Sequence, residues 1–181
     1  MTPLASDGRI ALRRYRPGDV DPLYAAVNES RASIAKWMPW CHEHYAYSDA
    51  LTWVAGRERA WVEGEEFTMM IVDASTDAVL GSSGLNQVNR VNAYANLGYW
   101  VRASAQRRGV ASAAVRLVAR YGFAELRLGR VEIVTDVENL ASRKTAERAG
   151  ARFEAVCRNR LKQRDRWHDA ALYSLVPADV E

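Results

Sequence analysis

Apolar and polar residues alternate with period two along Arg9-Ile10-Ala11-Leu12-Arg13-Arg14-Tyr15, which predicts an opening strand. Arg16-Pro17-Gly18-Asp19 breaks that pattern, and Asp19 is placed to cap a helix carrying Leu23, Ala26 and Val27. A second helical stretch is expected near Ser33, ending at Trp37-Met38-Pro39-Trp40 because Pro39 disfavours helical geometry in Met38. Ser48 or Asp49 would cap the next helix, with Leu51, Val54 and Ala55 facing inward and Trp61 further along. Strand patterning returns at 67–72, 79–85 and 94–101, the first two joined by the polar hairpin loop Asp73-Ala74-Ser75-Thr76-Asp77. A long helix is predicted over 109–125, striped by Ala113, Ala114, Leu117, Val118 and Tyr121. A strand over 131–135, a helix over 139–149 closed by Gly150, and strands over 153–156 and 170–176 complete the chain. No repeat, low-complexity tract or linker divides it.

The 181 residues and 20.3 kDa therefore suit a single domain spanning 1–181 around one principal core. Hydrophobic residues make up 49% and charged residues 26%, a globular rather than a disordered composition. No apolar run approaches the roughly 18 residues of a membrane span, and the N-terminal segment shows no basic stretch leading into an apolar core. Membrane insertion and secretion are not expected, and a cytoplasmic location is. Cys41 and Cys157 lie far apart without a CxxC motif or a histidine at metal spacing, so free thiols and no metal site are expected.

The net charge of +3 conceals a division. Residues 102–166 hold 16 Lys and Arg against 7 Asp and Glu, whereas the remainder holds 9 against 15. Either one part of the chain is suited to an anion and the other to a neutral or cationic group, or the basic residues serve as solvated helix faces. The basic residues are interleaved with apolar ones and match no helix-turn-helix, zinc-finger or RNA-binding signature, which argues against DNA or RNA as the anion.

The run Leu97-Gly98-Tyr99-Trp100-Val101-Arg102-Ala103-Ser104-Ala105-Gln106-Arg107-Arg108-Gly109-Val110-Ala111-Ser112 passes from a strand through a turn into the long helix. The first amides of a helix lack intrahelical partners and lie at its positive dipole end, so they can bind a phosphate or pyrophosphate. Gly109 and Ala111 leave room for an anion to approach the backbone, Arg107 and Arg108 add charge, and Gln106 can cap or donate. Neither GxxxxGK[ST] nor GxGxxG occurs here, so the fingerprints of nucleoside triphosphate and dinucleotide binding are missing. Residues alone leave an ordinary helix start as the alternative.

Gln106-Arg107-Arg108-Gly109-Val110-Ala111 resembles the (Q/R)xxGx(G/A) acetyl-CoA motif of the GNAT N-acetyltransferase superfamily, whose element order the chain follows. Within it, Trp37-Met38-Pro39-Trp40, Leu97-Gly98-Tyr99-Trp100, the stretch Asn139–Gly150, and Phe153–Arg158 with Trp167-His168-Asp169 resemble the Rim-type branch that acetylates protein N-termini. The resemblance implies a mixed α/β fold with a mostly antiparallel seven-stranded sheet flanked by helices, whose central strands splay to admit the pantetheine arm. It further implies that the amides of Trp100 and Val101 bind that arm and the thioester carbonyl, that the pyrophosphate sits on the amides of Arg107 to Ser112, and that Asn139 contacts the arm or caps its helix.

In that family a neutral amine attacks the thioester directly. Many members place a tyrosine seven residues beyond the helix asparagine as the acid, but this chain has Ala146 there. The Rim-type serine corresponds to Ser142, which would face the departing thiolate, or else satisfy a helix carbonyl. The glutamate some Rim-type members use as base corresponds to Leu161; Glu154 is retained either as a catalytic or a structural carboxylate. His42 and His44 are further proton-relay candidates. His168-Asp169 falls in a family turn and reads as structural. Trp37 and Trp40, with Trp53 and Trp61, lie where the fold builds its acceptor wall, with packing of the helices on the sheet as the alternative for half of them or more. The resemblance implies a protein or peptide α-amine as acceptor and a homodimer; a small-molecule amine acetyltransferase, or a non-catalytic acyl-CoA-binding module, are the alternatives.

Overall fold

A computed structural model describes residues 3–163 and 165–180; Met1, Thr2, Glu181 and, within the basic segment, Arg164 lie outside the described residues. In chain order the elements are β1 (Ala5–Ser6), β2 (Ile10–Arg13), α1 (Val20–Ala35), α2 (Tyr47–Glu63), β3 (Phe67–Asp73), β4 (Val79–Asn89), β5 (Tyr94–Val101), α3 (Val110–Ala124), β6 (Arg130–Asp136), α4 (Leu140–Arg148), β7 (Arg152–Gln163) and β8 (Arg166–Leu175). They form one sheet in the order β1-β2-β3-β4-β5-β6-β8-β7, antiparallel throughout except for the β5–β6 pair. Among the described residues the strand count is eight rather than the expected seven. The extra member, β1, pairs only Ala5 with Leu12 and Ser6 with Ala11, too short for alternation to reveal.

Side-chain alternation divides the interior between the two faces of the sheet. On β3, Met69 and Ile71 join the cluster beneath α3 and α4, while Met70 and Val72 join the cluster beneath α1 and α2. Burial on both faces is why this strand is a continuous apolar run. The stripe on α3 is buried as its spacing predicts at Ala113, Ala114, Leu117 and Val118; Tyr121 sits at the margin, its ring 5.9 Å from that of Trp61.

Several local expectations are corrected. The two helical stretches before Pro39 are one helix, α1, because nothing in Asn28-Glu29-Ser30-Arg31-Ala32 interrupts it and Ser30 donates back to Ala26 C=O at 2.7 Å. Asp19 stands at its N-terminus, but its carboxylate accepts from the buried Arg13 guanidinium at 2.7 and 2.8 Å rather than from a helix amide. Helix α2 starts at Tyr47, with Asp49 inside its first turn accepting from Ala46 N–H at 2.7 Å; Ala50 and Val54 face inward while Leu51 and Ala55 face solvent. Strands β7 and β8 run well beyond their apolar segments, because pairing continues through Leu161–His168, Lys162–Trp167 and Gln163–Arg166. His168 and Asp169 therefore lie on a strand, not in a turn.

Candidate active site

The parallel β5–β6 pairing covers only Tyr94–Arg130, Ala95–Val131 and Asn96–Glu132, although β5 continues to Val101 and β6 to Asp136. Their outer neighbours remain paired over those lengths, β4 to Val101 and β8 to Asp136. A wedge thus opens in the middle of the sheet. Two hydrogen bonds fix which β5 groups face it: Arg102 N–H donates to Leu80 C=O on the β4 side, and Ala93 C=O accepts from Gly129 N–H on the β6 side, both at 2.8 Å. Alternation then directs Tyr99 and Val101 into the wedge and commits Trp100 N–H to β4. This corrects the expectation for Trp100, whose contribution is its ring.

Beyond Val101 the chain makes a tight turn into α3. Arg107 (φ 58°) and Gly109 (φ 76°) both adopt left-handed geometry. Such turns aim successive amides into a concave anion cradle. Gly109 is the N-cap and has no side chain to satisfy the amides of Val110, Ala111 and Ser112, and no acidic residue occupies the first turn of α3. Gln106 Nε2 donates to Val101 C=O at 3.1 Å, tying the turn to the strand.

Wedge and cradle open into a cavity of about 680 Å3, lined in part by Trp100, Val101, Gln106, Arg107, Gly109, Val110, Ala111, Ser112, Asn139 and Ser142, together with Lys144 and Arg148 of α4. Arg108 does not line it; its carbonyl accepts from Arg9 instead. Asn139 Oδ1 accepts from Ser142 N–H at 3.1 Å, so its helix-capping role is realised. Ser142 Oγ lies 2.9 Å from Tyr99 Oη.

A second cavity of about 590 Å3 is lined by α1, α2 and the outer face of β4 and β5, including Tyr15, Trp37, Trp40, Tyr45, Trp53 and Trp100. Trp37, Met38, Pro39, Gly98, Tyr99 and Trp100 line both cavities, which meet across them. Trp40 and Trp53 are 43% and 38% exposed, a large apolar area left open on this wall. Arg57 stacks 3.6 Å over Trp53 and pairs with Glu66. His42 lines this cavity, whereas His44 does not, being 85% exposed beside Glu43.

Glu154 is not brought to either cavity. It sits near the start of β6, gripped by Arg130 at 2.5 and 2.7 Å and by Ser174 Oγ at 2.5 Å. The Arg130 guanidinium, helped by Ser174, holds its carboxyl down at about 2, the setting of a structural anion and not of a base. Leu161 does line the first cavity, so no carboxylate stands at that position. Sequence reasoning missed Lys144, Arg148 and Asp136; the last is buried against the same cavity with Oδ2 2.8 Å from His168 Nδ1. Only the helical phase of α4, placing Lys144 and Arg148 four apart, could have signalled the first two.

Residues 9–152 match the family described as the acetyltransferase (GNAT) domain. The chain belongs to the GNAT acetyltransferase family. This GNAT enzyme is 30% identical over 177 residues to YdaF of Bacillus subtilis (strain 168), a candidate ribosomal N-acetyltransferase, covering 95% of this chain and 93% of the relative. It is 24% identical over 167 residues to the ribosomal-protein-serine acetyltransferase of Escherichia coli (strain K12), covering 92% of each. Its fold matches that of the microcin C7 self-immunity acetyltransferase, solved with acetyl-CoA and AMP, with a TM-score of 0.86 and 22% identity over 94% of this chain and 93% of the other. It is an acetyl-CoA-dependent N-acetyltransferase. The uncapped amides, left-handed turn and unpaired strand amides suit a pantetheine pyrophosphate.

Proposed function

We propose that this N-acetyltransferase, as a single domain over 1–181, acetylates the α-amine of a protein or peptide. The meeting of the two cavities across Tyr99 and Trp100 carries this reading, because it gives a donor and an acceptor opposite approaches to one point in the sheet. The names of the relatives supply the acceptor class.

In this scheme the cradle over Arg107–Ser112, with Lys144 and Arg148 nearby, holds the pyrophosphate and the wedge holds the pantetheine arm. Val101 and Tyr99 N–H face the arm and the thioester oxygen, where a fixed donor stabilises developing negative charge. A neutral amine from the aromatic cavity attacks the thioester carbon; the C–N bond forms, the C–S bond breaks, and the proton released by nitrogen replaces the acyl group on sulfur. Ser142 Oγ donates a hydrogen bond to the departing thiolate. His42 and Asp49 are the imidazole and carboxylate of the acceptor cavity left to pass protons onward, since Glu66 is taken by Arg57. A cytoplasmic homodimer completes the proposal.

The test follows thiol release from acetyl-CoA with a panel of serine- and alanine-initiated peptides and a panel of small amines, with mass spectrometry locating the acetyl group. Acetylated α-nitrogen on peptides is expected. Turnover confined to small amines would overturn the acceptor, and CoA binding without thiol release on either panel would reduce the protein to a binding module.

A further inference from the structure

Tyr99 lines both cavities, and its backbone N–H has been given a part, but its side chain has not. Its hydroxyl lies 2.9 Å from Ser142 C=O and 2.9 Å from Ser142 Oγ. A carbonyl can only accept, and a phenol has one proton. Either oxygen of the Oη–Oγ pair can donate, and the arrangement that leaves the Ser142 proton free for sulfur has Tyr99 donating its one proton, shared between Ser142 C=O and Oγ, with Oγ as an acceptor. With Ser142 N–H given to Asn139 Oδ1 in the helix's own cap, the first turn of α4 is tied to the opposite side of the wedge at two atoms of one residue.

We propose that Tyr99 is a positioning residue for thiolate departure: by clamping Ser142 across the wedge, it keeps the serine hydroxyl facing the reacting sulfur. This rests on the reading of Ser142 given above and adds a residue to it. A free serine hydroxyl has three staggered wells, and holding it in one removes a reorganisation step when charge develops on sulfur. Tyr99 donates throughout and never transfers its proton. Burial supports this, pushing the phenol up to about 12, so it remains a neutral donor over the working range. The placement also answers the absence of a hydroxyl at Ala146, which is fully buried in the core: the phenol reaches this turn from β5 rather than from α4.

The test is a double-mutant cycle of Tyr99→Phe and Ser142→Ala, read as kcat, as KM for acetyl-CoA with a serine-initiated peptide, and as CoA affinity by calorimetry. Tyr99→Phe is expected to lower kcat by about 10-fold, the scale of one lost buried hydrogen bond, with CoA affinity unchanged. The double variant should be no slower than Ser142→Ala, because the clamp acts only through the serine. A slow Ser142→Ala beside an unaffected Tyr99→Phe, or losses that multiply, overturns the clamp alone. A silent Ser142→Ala overturns the reading of the serine itself. Independently of turnover, a crystal structure of Tyr99→Phe with CoA should show Ser142 Oγ turned away from sulfur; an unchanged rotamer also overturns the proposal.

Discussion

The two halves of the site are built from different materials. On the side proposed for the cofactor the chain offers its backbone: the amides of Tyr99 and Val101 released by the wedge, the left-handed turn at Arg107 and Gly109, and the uncapped start of α3. On the side proposed for the acceptor the wall is made of rings, with Trp40 packed near Tyr45 and Trp100 and Trp53 stacked under Arg57. Their charge differs as well, with Arg107, Lys144 and Arg148 lining the first and Asp49 and the Glu66–Arg57 pair lining the second. A backbone-built site depends on conformation and tolerates most side-chain change. A ring-built site depends on residue identity and can be recut for another acceptor without disturbing the fold.

The sharpest way to break the contrast is at Gly109. A β-branched residue at φ 76° carries about 1–2 kcal/mol of strain and sets two methyl groups beside the anion cradle. Gly109→Val is expected to weaken acetyl-CoA binding by about 100-fold in calorimetry, with an intact circular dichroism spectrum. Wild-type affinity in this variant would remove the cradle from the site. Arg107→Glu should cost about 10-fold, shrinking as salt rises, whereas Arg108→Glu should cost less than about threefold because that side chain does not line the cavity. Equal losses from the two would mean that long-range charge, and not the cradle, attracts the cofactor.

On the other side, Trp40→Ala should raise KM for the acceptor by about 3–10-fold, the worth of one aromatic contact, and leave CoA affinity untouched. A matching fall in CoA affinity would show that the ring serves the shared wall and not the acceptor.

The same contrast decided what the sequence could reveal. Strand β5 ends where its alternation ends, and α3 begins one residue after its glycine, because the backbone site is encoded by local conformational preference over Leu97–Ser112. The wedge is not encoded there, since it arises from which strands pair and for how long. Tyr99 and Trp100 are adjacent in the motif, and only the bonds at Arg102 and Ala93 determine which amide faces the wedge. The rings of the proposed acceptor wall are legible as aromatic, but their sequence does not divide acceptor contact from packing, since Trp61 packs in the same helix region against Phe67 and Tyr121. Glu154 stays open between catalytic and structural roles for the opposite reason: a retained acid says nothing of its partner until β7 is laid beside Arg130 and Ser174.

That carboxylate gives the smallest expected effect and lies outside both halves. The folded protein holds Glu154 at about 2 against an ordinary 4.5, first through Arg130 and then through Ser174. A depressed acid stabilises the fold above its unfolded value and loses that contribution as pH falls from about 4.5 toward 2. Because the side chain is 37% exposed, solvent screening limits the contribution to about 1 kcal/mol. Glu154→Gln should therefore lower stability by that amount at neutral pH in urea titration and flatten the acid limb between pH 4.5 and 2. kcat and both KM values should stay at wild-type, because neither cavity reaches the residue. A fall in kcat with unchanged stability would return Glu154 to the chemistry and dissolve the line between framework and site.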